Sequence, residues 1–189
     1  MPDPLHHLPP RLPVPEDDGA ADHLTGLAVP SIPLPSTLGR DVDLAEAARL
    51  VVVYIYPRTG HPGEPLPDGW DAIPGARGCT PQSCAFRDHA ADLNDLGADV
   101  IGLSAQSLGD QLEFAGREHI PYPLLADPEL QLADALGLPT FSIGSVRLYR
   151  RLTFVAAQGR IEKVFYPVFP PDRNAAEVLA WLRGDAPSA

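Results

Sequence analysis

Apolar and polar positions along the chain fall into blocks that predict strands and helices in turn. Residues 50–56 are apolar on both faces and rich in β-branched and aromatic side chains, which is typical of a strand in the middle of a sheet. In residues 81–96 apolar side chains recur at helical spacing, and Thr80 offers a capping oxygen ahead of them. Residues 99–104 form the next predicted strand. This strand, helix and strand order predicts parallel pairing of the two strands.

Two further helices are predicted in the middle of the chain. Ser107 and Asp110 resemble a capping box, which opens a helix that runs to about His119. Asp127 is a candidate N-cap followed by a proline at the first helical position, so residues 128–136 are also predicted to be helical.

The last third of the chain completes the predicted sheet. Residues 151–157 and 160–166 alternate in polarity around a Gln-Gly turn, which predicts an antiparallel hairpin. A final helix is predicted over residues 174–182. Together these elements predict an α/β protein with a central mixed β-sheet flanked by helices.

The N-terminal part of the chain is rich in proline. Nine of the 23 prolines come before Ser36, and residues without an amide donor cannot build a helix or a central strand. Residues 1–20 are therefore predicted to be a mobile tail, and residues 24–44 to hold one small hairpin. A chain of 189 residues has room for one well-buried domain, which we expect to span residues 21–184.

The charge and hydropathy of the chain exclude some partners. There are 14 Lys and Arg against 25 Asp and Glu, a net charge of -11 that repels phosphate backbones and anionic membrane surfaces. The longest apolar run, residues 50–56, is far shorter than the roughly 20 residues that cross a bilayer. We therefore expect no nucleic acid and no membrane as a partner. The N-terminus has no pattern typical of an export signal, which predicts a cytoplasmic location.

Cys79 and Cys84 are the only two cysteines of the chain. Cys79 is predicted to lie at the N-terminus of a helix, where free amide groups and the helix dipole favour a thiolate. In a reducing compartment two cysteines at this spacing favour a catalytic or metal-binding role over a structural disulfide. None of the six histidines has a C-x-x-C or H-x-x-x-H companion, so we expect no structural metal and no cofactor.

The helix that carries both cysteines resembles that of the peroxiredoxins. Within them it is most similar to the subfamily named for bacterioferritin comigratory protein, or peroxiredoxin Q, whose helix opens Gly-Cys-Thr-x-x-x-Cys-x-x-Arg-Asp. The matching residues are Cys79, Thr80, Cys84, Arg87 and Asp88. The resemblance extends over about residues 24–182 and implies a thioredoxin-like fold that reduces hydroperoxides without metal or haem.

The resemblance also implies a role for each matching residue. Cys79 would be the peroxidatic nucleophile and Cys84 the resolving thiol that closes an intramolecular disulfide. Arg151 matches the arginine of the family's active site, although strand alternation leaves its neighbour Arg150 as an alternative. The implied partners are a hydroperoxide and a thioredoxin-like or other thiol reductant, with the chain acting as a monomer or homodimer.

One part of the family motif is missing from this chain. The family has a threonine three residues before the reactive cysteine, and Ala76 stands there instead. The segment between Pro57 and Cys79 holds about 15 residues more than the family motif, and Thr59 within it is the candidate to replace the missing hydroxyl.

Three classes of function are compatible with these residues. The first is a peroxidase. The second is a dithiol redox sensor or oxidoreductase for protein thiols, although such proteins of this fold carry C-x-x-C rather than four intervening residues. The third is a binding module that has lost turnover, which the absence of threonine at position 76 permits. The fold alone does not separate these classes.

Overall fold

The computed structural model describes residues 4–185 and places a five-stranded sheet at the centre of the protein. The strands are β1 (Pro33–Pro35), β2 (Asp41–Asp43), β3 (Leu50–Ile55), β4 (Ala98–Ser104), β5 (Leu124–Ala126), β6 (Thr140–Ile143), β7 (Val146–Tyr149), β8 (Leu152–Ala157) and β9 (Arg160–Phe165). The helices are α1 (Cys79–Asp88), α2 (Ala90–Asp95), α3 (Leu108–Arg117), α4 (Gln131–Leu136) and α5 (Asn174–Arg183). Short 3-10 turns lie at Pro4–His6, Leu44–Glu46, Trp70–Ala72 and Pro171–Arg173.

Strand β3 lies in the middle of the central sheet, whose strand order is β5-β4-β3-β8-β9. It pairs with β4 in parallel and with β8 in antiparallel orientation, and β8 pairs antiparallel with β9. Residues 51–55 are at most 2% exposed, in agreement with a strand that is apolar on both faces. The predicted mixed sheet is confirmed, as are the β8–β9 hairpin and the small β1–β2 hairpin.

Alternate side chains of β3 point into two separate apolar clusters. Val52 and Tyr54 belong to the cluster that α1, α2, α3 and α5 cover, and Cys79 belongs to the same cluster. Val51, Val53 and Ile55 belong to the cluster on the other face, which α4 covers. This two-residue period follows from the pleat of the strand. It places Cys79 on the face of the sheet that carries most of the helices.

The prediction of one long helix after Thr80 is wrong in two respects: the helix starts earlier than predicted, and it is broken into two helices. Cys79 is itself the first residue of α1, and Gly78 occupies the N-cap position with φ of 102°. Thr80 lies inside the helix and is buried, so its side chain does not provide the cap. The helix breaks at His89, where φ is -101° and ψ is 4°, and α2 begins at the next residue.

The helix predicted from residue 128 begins three residues later. Leu130 adopts a left-handed conformation with φ of 54°, and this turn delays the start of α4 to Gln131. The Asp127 carboxylate still caps the helix, because it accepts hydrogen bonds from the amides of Gln131 and Leu132 at 2.9 and 3.0 Å. The capping residue was therefore identified correctly, but the turn between it and the helix was not.

The structure contains strands that the hydrophobic pattern did not predict. Strand β5 is only three residues long, too short to show a period, although all three of its residues are buried. Strands β6 and β7 pair with each other in a hairpin outside the central sheet, and their mixed exposure hides the alternation.

The proline-rich N-terminal segment lies against the domain from residue 4 onward. Leu5 is buried, and a Cβ atom at Gly78 would lie 2.7 Å from the side chain of Leu8. Asp18 accepts hydrogen bonds from Arg150 at 3.1 Å and from the Tyr166 hydroxyl at 2.9 Å. Side-chain contacts thus join parts of this segment to the domain. The mobility of the segment and the domain boundary at residue 21 stay predictions, and residues 1–3 lie outside the described range.

Candidate active site

Cys79 occupies the first position of α1, where Gly78 turns the chain into the helix. Gly78 has φ of 102°, which a residue with a side chain rarely adopts. A Cβ atom at Gly78 would also lie 2.4 Å from Pro171. Only glycine satisfies both conditions, so the backbone itself fixes the place of Cys79. The Cys79 side chain is 4% exposed, and Cys79 belongs to the first turn of α1, whose amide groups have no intrahelical partner.

The guanidinium group of Arg151 lies directly beside the sulfur of Cys79. Arg151 Nη2 is 3.1 Å from Cys79 Sγ, and the arginine is 3% exposed. Its Nε and Nη2 also donate to the carbonyl oxygens of Gly75 and Ala76 at 3.1 and 3.0 Å. No carboxylate within residues 4–185 forms an ion pair with Arg151. Its positive charge is therefore available to a Cys79 thiolate, and burial strengthens that interaction.

The structure decides between the two neighbouring arginines that the sequence left open. Arg151 turns inward to Cys79, whereas Arg150 is exposed and pairs with Asp18 at 3.1 Å. Both precede β8, and successive residues of an extended chain point to opposite sides. The geometry thus brings Arg151, and not Arg150, to the reactive sulfur.

A chain of hydrogen bonds among three buried polar side chains begins at Arg151. Gln82 Oε1 accepts a hydrogen bond from Arg151 Nη1, and Gln82 Nε2 donates to Asn174 Oδ1 at 3.0 Å. The Thr153 hydroxyl donates to the same Asn174 oxygen at 2.6 Å. Gln82, Thr153 and Asn174 are all fully buried. Sequence reasoning missed this network; the one signal for it was a glutamine three residues after Cys79, on the same helical face.

Thr59 and Cys79 line the same cavity, which has a volume of about 10 Å³. Thr59 is 3% exposed, and its hydroxyl donates to Gln106 Oε1 at 3.1 Å. The cavity has room for about one water-sized group, and Leu5 and Trp70 are among its apolar walls. The inserted segment thus returns Thr59 to the reactive cysteine. Ala76 provides only its carbonyl oxygen, which lies 3.6 Å from Cys79 Sγ.

Cys84 lies further along α1, on the side that faces the end of α3. It is partly buried and not in a disulfide, and its thiol donates to Glu118 Oε2 at 3.6 Å. Burial is the main cause that raises the pKa of Cys84 to about 11; Arg87 opposes the shift, and the Glu118 carboxylate contributes to it. Cys84 is therefore protonated at neutral pH as long as α1 is intact.

An aromatic cluster anchors the second half of α1 to the sheet. Phe86 stacks on Tyr54 with ring centroids 4.5 Å apart. The Tyr122 hydroxyl donates to the carbonyl oxygen of Ser83 at 2.9 Å and lies 3.1 Å from the Tyr54 hydroxyl. Burial raises the pKa of both tyrosines, so these hydroxyls stay protonated. These contacts anchor the second half of α1 to the sheet through Ser83 and Phe86.

The model of the family described as Redoxin matches residues 24–179, which is most of the chain. The chain belongs to the redoxin family. Among curated relatives of this redoxin, the chloroplastic peroxiredoxin Q of Oryza sativa subsp. japonica is 31% identical over 160 residues, which are 84% of this chain and 66% of the relative. The chloroplastic peroxiredoxin Q of Sedum lineare is 32% identical over 159 residues, 81% of this chain and 76% of the relative.

A solved structure shows the same fold. Peroxidoxin BcpB of Mycobacterium tuberculosis superposes with a TM-score of 0.69 at 28% identity, over 86% of this redoxin and 98% of that chain. The predicted thioredoxin-like α/β fold is therefore confirmed, and so is the resemblance to peroxiredoxin Q. The chain spans slightly less than two thirds of the rice relative's length.

Proposed function

We propose that this redoxin is a thiol-dependent peroxidase in which Cys79 reduces a hydroperoxide. The observation that carries the proposal is the contact of 3.1 Å between Arg151 Nη2 and Cys79 Sγ at the N-terminus of α1. A buried guanidinium and free helix amides both lower the energy of a thiolate. The thiolate is the form of cysteine that attacks a peroxide.

The first step forms an S–O bond on Cys79 and breaks the O–O bond of the peroxide. The leaving oxygen takes up a proton and departs as water or an alcohol, and Cys79 becomes a sulfenic acid. Arg151 is placed to stabilise the negative charge that moves from sulfur to the leaving oxygen. The Thr59 hydroxyl lines the same cavity, where it can hydrogen-bond the peroxide.

In the second step Cys84 attacks the sulfur of the sulfenic acid, and the oxygen leaves as water. Both cysteines lie on α1, and helical geometry puts α-carbons five residues apart at roughly 8.6 Å. A disulfide needs a separation below about 7 Å. The first turns of α1 must therefore unwind before the bond forms, which local opening at a helix end permits. A thioredoxin-like or other thiol reductant then restores both thiols.

The binding-module alternative rested on the missing threonine at position 76. Thr59 lines the Cys79 cavity in its place, which supports turnover over a purely binding role. Nothing in the geometry favours a sensor or protein-thiol oxidoreductase over a peroxidase. A cytoplasmic location and a monomeric or homodimeric state stay predictions from the sequence. No helix within residues 4–185 is long and apolar enough to span a bilayer.

The proposal is tested by following hydrogen peroxide loss with dithiothreitol as the reductant. We expect turnover by the wild type and none by Cys79→Ser, with unchanged circular dichroism. Cys84→Ser serves as the matched control, because without dithiothreitol it should still consume about one equivalent of peroxide and form sulfenic acid at Cys79. Wild-type turnover no faster than that of Cys79→Ser would overturn the proposal.

A further inference from the structure

A second group of reactive side chains lies beside Cys84, outside the Cys79 cavity. His6, Cys84 and Glu118 each offer one possible metal-ligand atom, and these atoms lie within 4.8 Å of one another. His6 Nε2 is 2.9 Å from Glu118 Oε2, and Cys84 Sγ is 3.6 Å from the same oxygen. The three residues come from the N-terminal segment, α1 and the residue after α3. Their wide sequence separation explains why ligand spacing did not reveal them.

We propose that His6, Cys84 and Glu118 bind one Zn²⁺ ion in the reduced protein, and that oxidation of Cys84 releases the ion. An imidazole nitrogen, a thiolate and a carboxylate are the three side-chain ligands that zinc takes in proteins. The sulfur ligand disfavours magnesium and calcium, which prefer oxygen. The release step rests on the proposed peroxidase function, whereas zinc binding does not. The proposal departs from the sequence-based expectation of no metal.

Two of the three ligand-atom separations are close to those of a tetrahedral zinc site, and the third, between His6 and Cys84, lies within 4.8 Å. Zinc bonds of about 2.0 to 2.3 Å at tetrahedral angles separate neighbouring ligand atoms by roughly 3.3 to 3.6 Å. The separation of 3.6 Å between Cys84 and Glu118 already has this value, and the separation of 2.9 Å between His6 and Glu118 is slightly short. Three protein ligands leave the fourth position to a water molecule.

The surroundings orient the Glu118 carboxylate for this role. Its Oε1 accepts a hydrogen bond from Arg117 Nη1, which leaves Oε2 directed to His6 and Cys84. The backbone oxygen of Glu118 accepts from Arg87 Nη1 at 2.8 Å. Outer hydrogen bonds of this kind fix the orientation of metal ligands.

Charge and access also suit the ion. The Glu118 carboxylate and a Cys84 thiolate together balance the two positive charges of zinc. Two guanidiniums border the site: Arg117 pairs with Glu118 Oε1 at 2.5 Å and with Glu113 at 2.8 Å, and Arg87 pairs with Asp88 at 2.9 Å, so each has a carboxylate besides Glu118 Oε2 as a partner. Glu118 is 5% exposed, whereas the His6 side chain is 41% exposed, which gives the ion a path from solvent.

Oxidation removes the sulfur ligand. When the zinc-bound Cys84 sulfur attacks the Cys79 sulfenic acid, the S–O bond breaks and an S–S bond forms. The oxygen leaves as hydroxide and takes up a proton to become water, and the zinc loses its thiolate. His6 and Glu118 alone hold the ion weakly, so it dissociates. Zinc is thus bound to the reduced protein and released when peroxide has been consumed.

Zinc binding is tested on the reduced full-length chain by calorimetry, with Co²⁺ as a spectroscopic probe. We expect one ion per chain and a thiolate-to-cobalt charge-transfer band. The band should be absent in Cys84→Ser, and His6→Ala and Glu118→Gln should weaken binding at least 10-fold, as seen when ligand support is lost. His7→Ala, Glu113→Gln and Cys79→Ser are the matched controls and should bind like the wild type. No binding by the wild type, a band that persists in Cys84→Ser, or a band lost in Cys79→Ser would each overturn the site.

Zinc release is tested by adding one equivalent of hydrogen peroxide to the zinc-loaded protein with a chromophoric chelator. The wild type should release its zinc, and Cys79→Ser should retain it. Zinc that stays bound after mass spectrometry has confirmed the Cys79–Cys84 disulfide would overturn the release step. A protein that binds zinc with the stated variant pattern but reduces no peroxide would refute the peroxidase and leave the site intact.

Discussion

Gln82 and Asn174 share a buried hydrogen bond of 3.0 Å that links α1 to the first turn of α5 behind the reactive cysteine. The other end of the Gln82 side chain holds Arg151, so one amide group connects two helices and the guanidinium. Because buried polar groups are costly when unpaired, this bond stabilises the fold and also helps to position the Arg151 guanidinium.

Replacing Gln82 by leucine should therefore weaken the fold and the site together. Gln82→Leu removes one buried hydrogen-bond partner from Asn174, which keeps Thr153, and one from Arg151, which keeps its backbone partners, and this should lower the free energy of unfolding by about 1–3 kcal/mol. Peroxide reduction should slow as well. Urea denaturation measures the first effect, and Gln131→Leu, at an exposed position of α4, is the control with a change within about 0.5 kcal/mol. Equal stability of the two variants would contradict the expectation.

The two adjacent arginines should respond differently to the same substitution. Arg151→Lys keeps the charge but removes the fork that contacts Cys79, Gly75 and Ala76 at once. Single-turnover oxidation of Cys79 by hydrogen peroxide should slow at least about 10-fold, a loss of roughly 1.4 kcal/mol of transition-state stabilisation. Arg150→Lys should leave the rate unchanged, since Arg150 contacts Asp18 on the surface. A larger effect at Arg150 would show that this geometry is not the reactive one.

Fast oxidation of Cys79 should require the hydroxyl group of Thr59 but not its methyl group. Thr59→Val keeps the shape of the side chain but removes the hydroxyl from the cavity, and it should slow Cys79 oxidation by about 10-fold, the value of one hydrogen bond. Thr59→Ser keeps the hydroxyl and should react at close to the wild-type rate. Stopped-flow kinetics under single-turnover conditions makes the comparison. Fast oxidation of Thr59→Val would mean that the inserted segment supplies no contact to peroxide.

Cys84 should titrate at unusually high pH in the folded protein. Burial, opposed by Arg87 and assisted by Glu118, raises the pKa of its thiol from 9.0 to about 11. In metal-free Cys79→Ser protein, alkylation by iodoacetamide needs the thiolate and should reach half its maximal rate near pH 11. Glu118→Gln should move this midpoint to lower pH, and Glu113→Gln should not. A midpoint near 9 in the parent variant would refute the buried geometry.

The raised pKa of Cys84 also makes the free energy of unfolding depend on pH in a defined direction. Because the pKa of Cys84 is raised on folding, the folded state holds the proton more tightly than the unfolded state does. The stabilising contribution is therefore complete below the unfolded value of about 9 and is lost as the pH rises through about 11. Urea denaturation should show a falling free energy of unfolding over this range, and Cys84→Ser should show a smaller fall.

The parts of the fold that follow from local pattern were predictable. The apolar composition of residues 50–56 predicted a buried strand, and Ser107 and Asp110 form the capping box as expected. The approach of Arg151 to Cys79 was expected only from the family resemblance, because nothing in the local pattern of two adjacent arginines chooses between them. Elements set by long-range contacts were missed. The break at His89 and the left-handed Leu130 have no signal in the local hydrophobic pattern.

In the candidate site, too, features set by long-range contacts could not be predicted from the sequence. The positive φ at Gly78 moves the helix start to Cys79, whereas propensity favoured Thr80 as the cap. The Gln82–Asn174 bond joins residues 92 positions apart, and only the folded chain reveals such a pair. Asn174 begins α5 as predicted, and its side chain is directed to Gln82 and Thr153.

Phe86 and Tyr122 anchor α1, so a change that stabilises this helix against heat also slows the opening that turnover requires. The helix must stay attached through residues 83–86 while its first turns open for the disulfide. Substitutions that stiffen residues 79–82 would raise the melting temperature but leave Cys79 longer as a sulfenic acid, which a second peroxide converts irreversibly to the sulfinic form. Selection for heat stability at constant peroxide resistance should therefore accumulate changes in the sheet and in α5, and spare the first turn of α1.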